Sequence, residues 1–311
     1  METKKAHSER YFTDARDYWW HSDYIGLLAR RFEVAEARSI LEVGVGQGHF
    51  ARAWMPHFSN GYTFTGLDRE ERSLQIAREK TAAFLLENGD RGQVSFVLGA
   101  AENLPFADNS FDMVMCQTVL IHLPNPTLGF QEMVRVAKPG GLVLAVEPNN
   151  LAGLQRLASA GPRVDLQRQL AVTRFHLRAV HGKAVLGHGW NDFGVHLPKL
   201  FSSLNDVRYY NNDRAWVFAP PYAEPQQAAA MLDLERDVSE GVYGWDRAEA
   251  RQYYLAAGGS EDEFTADYDT LLQIQREEFE LCKRGEWTEL VAFAGLIAGG
   301  RKPMRILSRQ G

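Results

Sequence analysis

The stretch that most restricts what this chain can fold into is Leu41-Glu42-Val43-Gly44-Val45-Gly46-Gln47-Gly48. A short apolar run leads into it and a helical pattern leaves it, so it reads as strand, glycine turn, helix. Glycines at alternate positions let the backbone approach a ligand closely. The helix that follows aims free N–H groups and the positive end of its dipole at that ligand. This is the local design of a cofactor cradle, one that glycine turns provide for dinucleotides and phosphates as well. The dinucleotide pattern wants its third glycine where this chain has His49, and the Gly-Lys-Ser/Thr of a P-loop is absent.

The spacing continues in the same sense along the next hundred residues. Strands are predicted over 39–43, 62–67, 94–98, 111–116 and 142–146, with helices over 47–57 and 69–87 and a helical run carrying Phe130, Met133, Val134 and Ala137. Asp68 ends the second strand about twenty residues beyond the glycine turn, where a carboxylate accepts hydrogen bonds from two vicinal ribose hydroxyls; the bland alternative is an N-cap for the next helix. Alternating strands and helices imply a parallel sheet covered on both faces, with ligands outside the carboxyl ends of the strands. Here those ends carry Glu42 to Gly48, Asp68, Ala100 to Glu102, Gln117 and Glu147.

An acidic residue ahead of Gly-x-Gly-x-Gly resembles motif I of the class I S-adenosylmethionine-dependent methyltransferases. Residues 99–112, Gly-Ala-Ala-Glu-Asn-Leu-Pro-Phe-Ala-Asp-Asn-Ser-Phe-Asp, resemble nearly residue for residue the D-A-E-x-L-P-F-x-D-x-S-F-D segment of the small-molecule methyltransferases related to the ubiquinone/menaquinone C-methyltransferases. The Lys138-Pro139-Gly140-Gly141 turn is a further family hallmark, expected here to end the preceding helix. The resemblance implies an α/β, doubly wound, mostly parallel seven-stranded Rossmann-like sheet. It implies S-adenosyl-L-methionine as cofactor, S-adenosyl-L-homocysteine as product and a small-molecule acceptor. By the same resemblance Glu42, Gly44, Gly46 and Gly48 hold the methionine end, Asp68 the ribose, Ala101 and Glu102 the adenine side, and Gln117 the wall near the methyl. The family's adenine-binding aspartate aligns with Ala100, which leaves that task to backbone near Ala101 and to Glu102.

Acid–base candidates are Glu147 and His122, with His188 and His196 behind them. The alternatives for Glu147 and His122 are a loop carboxylate capping a helix and a hydrogen-bonded structural histidine. Neither Cys116 nor Cys282 has metal-ligand spacing around it, and both read as reduced packing residues; no metal site is expected.

Around this core the sequence adds material. The expected divisions are 1–35, an aromatic-rich N-terminal helical segment packed on the core or closing over it as a lid; 36–150, the cofactor-binding core; 151–192, an insertion near the acceptor; 193–220, a core continuation with strand six over 207–210 and an extension over 215–219; 221–286, a helical insertion expected to choose the acceptor; and 287–311, the final strand over 290–297 and a tail. Within 151–190, Arg156, Arg163, Arg168, Arg174, Arg178 and Lys183 are opposed only by Asp165, which suggests a solvated face or a clamp for an anionic acceptor. Tyr243, Trp245, Tyr253 and Tyr254 read as an acceptor pocket or as core.

At 311 residues, 45% hydrophobic and 24% charged, the chain has room for one large core or two smaller ones. A net charge of -6 argues against a general grip on nucleic acid, and no stretch reads as a signal peptide or membrane span, so a cytoplasmic protein is expected. Three rival readings remain: an RNA methyltransferase using the basic 151–190 insertion, a nicotinamide-dependent oxidoreductase of similar fold, and a non-catalytic cofactor-binding protein.

Overall fold

The computed structural model of the protein describes residues 8–11, 13–89, 91–150, 165–211, 215–218, 225–284, 286, 289–292 and 295–304. In chain order the strands are β1 (Ser39–Val43), β2 (Tyr62–Asp68), β3 (Gly92–Leu98), β4 (Phe111–Gln117), β5 (Ala137–Pro148), β6 (Asn205–Asn211), β7 (Ala215–Phe218), β8 (Glu289–Ala292) and β9 (Gly295–Arg301). The helices are α1 (Ser22–Arg31), α2 (His49–Trp54), α3 (Glu71–Asn88), α4 (Pro126–Val136), α5 (Leu166–Val185), α6 (Leu197–Phe201), α7 (Pro225–Ser239), α8 (Arg247–Ala256) and α9 (Glu261–Lys283). They group into two compact units, one of residues 20–149, 192–212 and 295–311, the other of residues 1–19, 150–191 and 213–294.

The first unit is a seven-stranded sheet in the order β3-β2-β1-β4-β5-β9-β6. Strands β1 to β5 run parallel, and β9 lies antiparallel between β5 and β6. Burial on both faces is why β1, β4 and β5 are near-continuous apolar runs rather than alternating ones. On one face Ile40, Met113 and Met115 pack against Ile25 and Leu28 of α1 and Phe50 and Trp54 of α2. On the other, Leu41, Val114 and Cys116 meet Phe130 and Met133 of α4 and Leu197 and Phe201 of α6. Each such side chain contributes about 1.5–3 kcal/mol when fully buried. The strand order reverses between β1 and β4, which opens a crevice at their carboxyl ends.

Two polar anchors fix the segments that the sequence singles out. The Arg135 guanidinium bonds Glu132, Asp108 and the carbonyls of Leu104 and Phe106, so α4 clasps the Leu-Pro-Phe segment. At the start of β4 Asp112 accepts from the Arg38 and Ser39 amides, the Ser39 hydroxyl and Lys138 Nζ. Burial opposes ionisation of Asp112, but these donors outweigh it and hold the carboxyl down at about 2. A depressed carboxyl stabilises the fold above its ordinary value of 3.8, and that contribution disappears as pH falls toward 2. Asp112→Asn should therefore lower the urea midpoint at pH 7 by the equivalent of about 1–3 kcal/mol, and the gap to wild type should close between pH 4 and pH 2.

Ahead of α1 the described part of the N-terminal segment forms two short 3-10 turns, Ser8–Tyr11 and Asp14–Tyr18. Several sequence expectations are corrected. The Lys-Pro-Gly-Gly turn does not end a helix; α4 stops at Val136 and β5 begins at Ala137, with Gly140 at φ +76°. The last strand of the large sheet is 295–301, not 290–297. Gly299 and Gly300 look like punctuation but lie inside that strand. A Cβ on Gly299 would sit 2.2 Å from the Phe32 ring, and one on Gly300 would sit 3.0 Å from Leu204. Close packing on both faces, not a turn, selects them. The segment 215–219 does not extend the large sheet; β7 pairs with β8 in a separate two-stranded sheet of the other unit.

That other unit is mostly helical and has its own core of Val172, Phe175, Ala179, Met231, Tyr253, Tyr254, Phe264 and Tyr268. Three of its helices start at a capping side chain: Asp165 accepts from the Arg168 amide, Asp246 from Glu249, and Ser260 with Glu263 forms a full capping box. Gly182 lets α5 press on α8, since a Cβ there would lie 1.7 Å from the Tyr253 carbonyl oxygen. The basic insertion is not a clamp within the described residues. Arg168 pairs with Glu277, Arg174 with Asp267, and Arg178 with Glu263, while Lys183 is buried with Nζ 2.6 Å from Asn191. Arg156 and Arg163 lie outside the described residues. Tyr253 and Tyr254 are core residues at 2% and 0% exposure.

Candidate active site

The cradle is built by three left-handed glycines, Gly44 at φ +69°, Gly46 at φ +53° and Gly48 at φ +78°. Side chains disfavour this region, so the turn needs glycine for its backbone as well as for room. A Cβ on Gly44 would also lie 2.3 Å from Val119 Cγ2. The turn is tied down by Val45 N–H to the Leu67 carbonyl and Gly48 N–H to the Val45 carbonyl, each at 2.9 Å.

Asp68 closes β2 beside this turn and is shared between two tasks. Its Oδ2 accepts from the Gly46 amide at 2.8 Å and its Oδ1 from the Glu70 amide at 3.0 Å. The carboxylate therefore shapes both the cradle and the entry to α3, and each oxygen keeps acceptor capacity for a further donor. Next to it, the Gly99 amide bonds the Asp68 carbonyl, which brings the end of β3 to the same crevice. There the Ala100 carbonyl accepts from the Asn103 amide, Ala101 is buried, and Glu102 Oε1 lies 3.5 Å from the Asn125 amide.

Glu42 lies under the turn at 1% exposure, between Gly66 of β2 and Met115 of β4, and its Oε2 has no hydrogen-bond partner among the described residues. Burial drives its carboxyl well above the ordinary range; Arg52 opposes that shift and Asp68 reinforces it. Gln117 ends β4 at 5% exposure, accepts from the Trp20 indole at 3.2 Å, and leaves Nε2 with no partner among the described residues. Thr118 follows at φ +57°, a strained position for a β-branched residue, and its hydroxyl also lacks a partner there. Buried polar atoms without partners are uncommon, and these three cluster at the strand ends that face the crevice.

The acid–base candidates are placed differently. Glu147, at 0% exposure, turns inward: Oε1 accepts from the Val119 and Leu120 amides at 2.9 and 2.8 Å, and Oε2 from Ile121 at 3.3 Å. The thiol of Cys116, one of two free cysteines, lies 3.9 Å from Oε1. Burial pushes the Glu147 carboxyl up to about 7 against the pull of these amides. His122 ends the 3-10 turn Leu120–His122 and is partly buried. His188 lies 3.3 Å from the Tyr253 hydroxyl, in the helical unit, and the His196 ring packs 5.6 Å from Phe193 in the sheet unit. By family resemblance the sequence places 117–123 as the loop flanking the methionine part of the cofactor but gives Thr118 and Val119 no role of their own, and it has Trp20 only as one of many N-terminal aromatics.

Strand order and the glycine turn after β1 give a Rossmann-like α/β sheet with a crevice at the β1/β4 carboxyl ends. Residues 41–145 match the family model described as a methyltransferase domain, and this part of the chain is a methyltransferase domain of the class I S-adenosylmethionine-dependent kind. Similar proteins include methyltransferase GfsG of Streptomyces halstedii, 36% identical over 114 residues, which is 37% of this chain and 39% of that protein. The demethylmenaquinone methyltransferase of Shouchella clausii is 34% identical over 128 residues, 41% of this chain and 51% of its own length. Methyltransferase YcgJ of Bacillus subtilis is 30% identical over 139 residues, 45% and 49% of the two chains. The chain thus spans about half or less of the length of these relatives. Among the described residues no helix is long and apolar enough to cross a membrane, and no cluster of His, Cys, Asp or Glu suits a metal ion.

Proposed function

We propose that the protein transfers a methyl group from S-adenosyl-L-methionine to a small-molecule acceptor. The observation that carries this reading is the Gly46 amide bonded to Asp68 at the mouth of the β1/β4 crevice, beside three left-handed glycines. The residues fit the cofactor: Asp68 has lone pairs for ribose hydroxyls, the cradle has no Cβ in the way, and the Gln117 amide nitrogen and Thr118 hydroxyl, without partners among the described residues, stand at the carboxyl end of β4 that borders the crevice. When bound, the cofactor supplies an electrophilic methyl on a sulfonium. The chain's part is to position and to exclude water. Fixing two reactants in line is worth roughly 7–11 kcal/mol in the best cases, with no covalent step required of the protein.

Glu147 acts in this scheme through the backbone. Its carboxylate holds 119–121 against Gly44 and so sets the wall of the crevice. His122, on the same turn, is the remaining candidate to take a proton from an acceptor that must lose one.

Calorimetric titration with S-adenosylhomocysteine tests the reading, with NADH as control. Wild type should bind near micromolar, about -8 kcal/mol, and NADH should not bind. Asp68→Ala removes the ribose acceptor and frees the Gly46 amide, so affinity should fall at least about 30-fold, corresponding to ~2 kcal/mol. Tight NADH binding, or wild-type affinity in the variant, would discard the assignment.

A further inference from the structure

Trp20 and Gln117 form a pair whose chemistry decides which way an amide points. The Trp20 Nε1–H donates to Gln117 Oε1 at 3.2 Å, and an indole N–H can only donate. The amide oxygen must therefore face Trp20, and the NH2 group is forced to the other side. Trp20, partly buried, is braced against Phe50 of the sheet unit's core, ring centroids 5.6 Å apart. The forced Nε2 is buried with no hydrogen-bond partner among the described residues. A buried donor without an acceptor is costly, so this orientation points to an acceptor atom supplied by a ligand.

The position of Gln117 says which part of a ligand that is. Val43 is opposite Cys116, so Gln117 stands one residue further along, beside Gly44. Asp68 lies across β1 from it, at the end of β2. A ligand held by its ribose at Asp68 and passing over the cradle presents its far end to Gln117. Resting on the cofactor proposed above, that far end is the amino-acid moiety. Its ammonium cannot accept from an NH2 group, whereas its α-carboxylate can.

We propose that Trp20 is a positioning residue, which locks the Gln117 amide with its NH2 toward the cofactor's α-carboxylate and so makes a carboxylate subsite at the end of β4. The subsite requires a residue from the N-terminal segment, outside the 41–145 stretch that matches the methyltransferase domain. Binding of the amino-acid end thus depends on α1 and its approach being in place.

The test compares two ligands that differ only at that end: S-adenosylhomocysteine and 5′-methylthioadenosine, which lacks the amino-acid group. Dissociation constants are measured by calorimetry for wild type, Trp20→Phe, which keeps the ring packing but loses the donor, and Gln117→Glu, which sets a carboxylate against a carboxylate. Trp20→Phe should weaken S-adenosylhomocysteine about tenfold and Gln117→Glu about a hundredfold, while 5′-methylthioadenosine changes less than twofold in either. Retained binding of 5′-methylthioadenosine also shows that each variant is folded. Equal losses for both ligands, or no loss for either, overturn the carboxylate subsite while the cofactor assignment stands. Wild type binding 5′-methylthioadenosine as tightly as S-adenosylhomocysteine overturns it too. Failure of wild type to bind either ligand removes the cofactor assignment, and the subsite with it.

Discussion

Glu147→Leu should destabilise the sheet unit by about 3–6 kcal/mol, read as a shift in the denaturant midpoint. The carboxylate, itself fully buried, is the acceptor for the Val119, Leu120 and Ile121 amides, the last two in buried hydrogen bonds and the first in a partly buried one. Leucine fills the volume but takes the acceptor from two buried donors and one partly buried one, each buried loss costing about 1–3 kcal/mol, against a total stability on the order of 5–15 kcal/mol. Glu147→Gln separates shape from charge. Its carbonyl oxygen still serves Val119 and Leu120, while its NH2 opposes the Ile121 amide, so the loss should be about a third as large.

The pH dependence gives the same residue a second signature, with the sign opposite to that of Asp112. Burial raises the Glu147 carboxyl from an ordinary 4.5 to about 7, so between those values the folded chain holds a proton that the unfolded chain releases. Stability attributable to this group should therefore rise as pH falls from 7 toward 4.5. Glu147→Gln should flatten that slope. A wild-type profile that instead declines through this window in step with the Gln variant would show that the carboxyl is not raised.

Gly44→Ala should abolish cofactor binding, with an affinity loss of at least about 100-fold, or ~3 kcal/mol. The added methyl meets two obstacles. The φ of +69° costs roughly 1–2 kcal/mol for a residue with a Cβ, and that Cβ would lie 2.3 Å from Val119 Cγ2, on the turn that Glu147 holds in place. Since the turn cannot retreat without breaking those three hydrogen bonds, the cradle must move instead. Gly61→Ala is the control: its φ is +77°, but nothing lies within 4 Å of the new Cβ. It should lower stability by the backbone cost alone and leave S-adenosylhomocysteine affinity unchanged. Equal affinities for the two variants would show that the Gly44–Val119 approach does not matter.

Much of this architecture could be read before any coordinates. The glycine turn at 44–48, Asp68 and the 99–112 segment are local signals, and each is placed by the strand or turn it belongs to. Their convergence follows from alternating strands and helices, because a parallel sheet delivers every strand's carboxyl end to one edge. What local pattern could not give was pairing. Gly299 and Gly300 read as the close of a strand because their role depends on Phe32 and Leu204, remote in sequence and pressed on either face. Residues 215–218 looked like a continuation of β6, yet their hydrogen bonds go to 289–292. The arginines of 166–185 looked available in the sequence because their acidic partners are 85 to 109 residues away on α9.

The sequence by itself determined the class of domain, since backbone demands at Gly44, Gly46 and Gly48 and the spacing to Asp68 are properties of a few consecutive residues and one strand repeat. Tertiary structure alone decided what Glu147, Gln117 and Trp20 do. A carboxylate at a strand end is equally suited to meeting a substrate or holding a turn, and only the three amides of 119–121 converging on it, away from water, choose the second. An amide side chain likewise has no fixed direction until a donor-only indole, 97 positions distant, sets it.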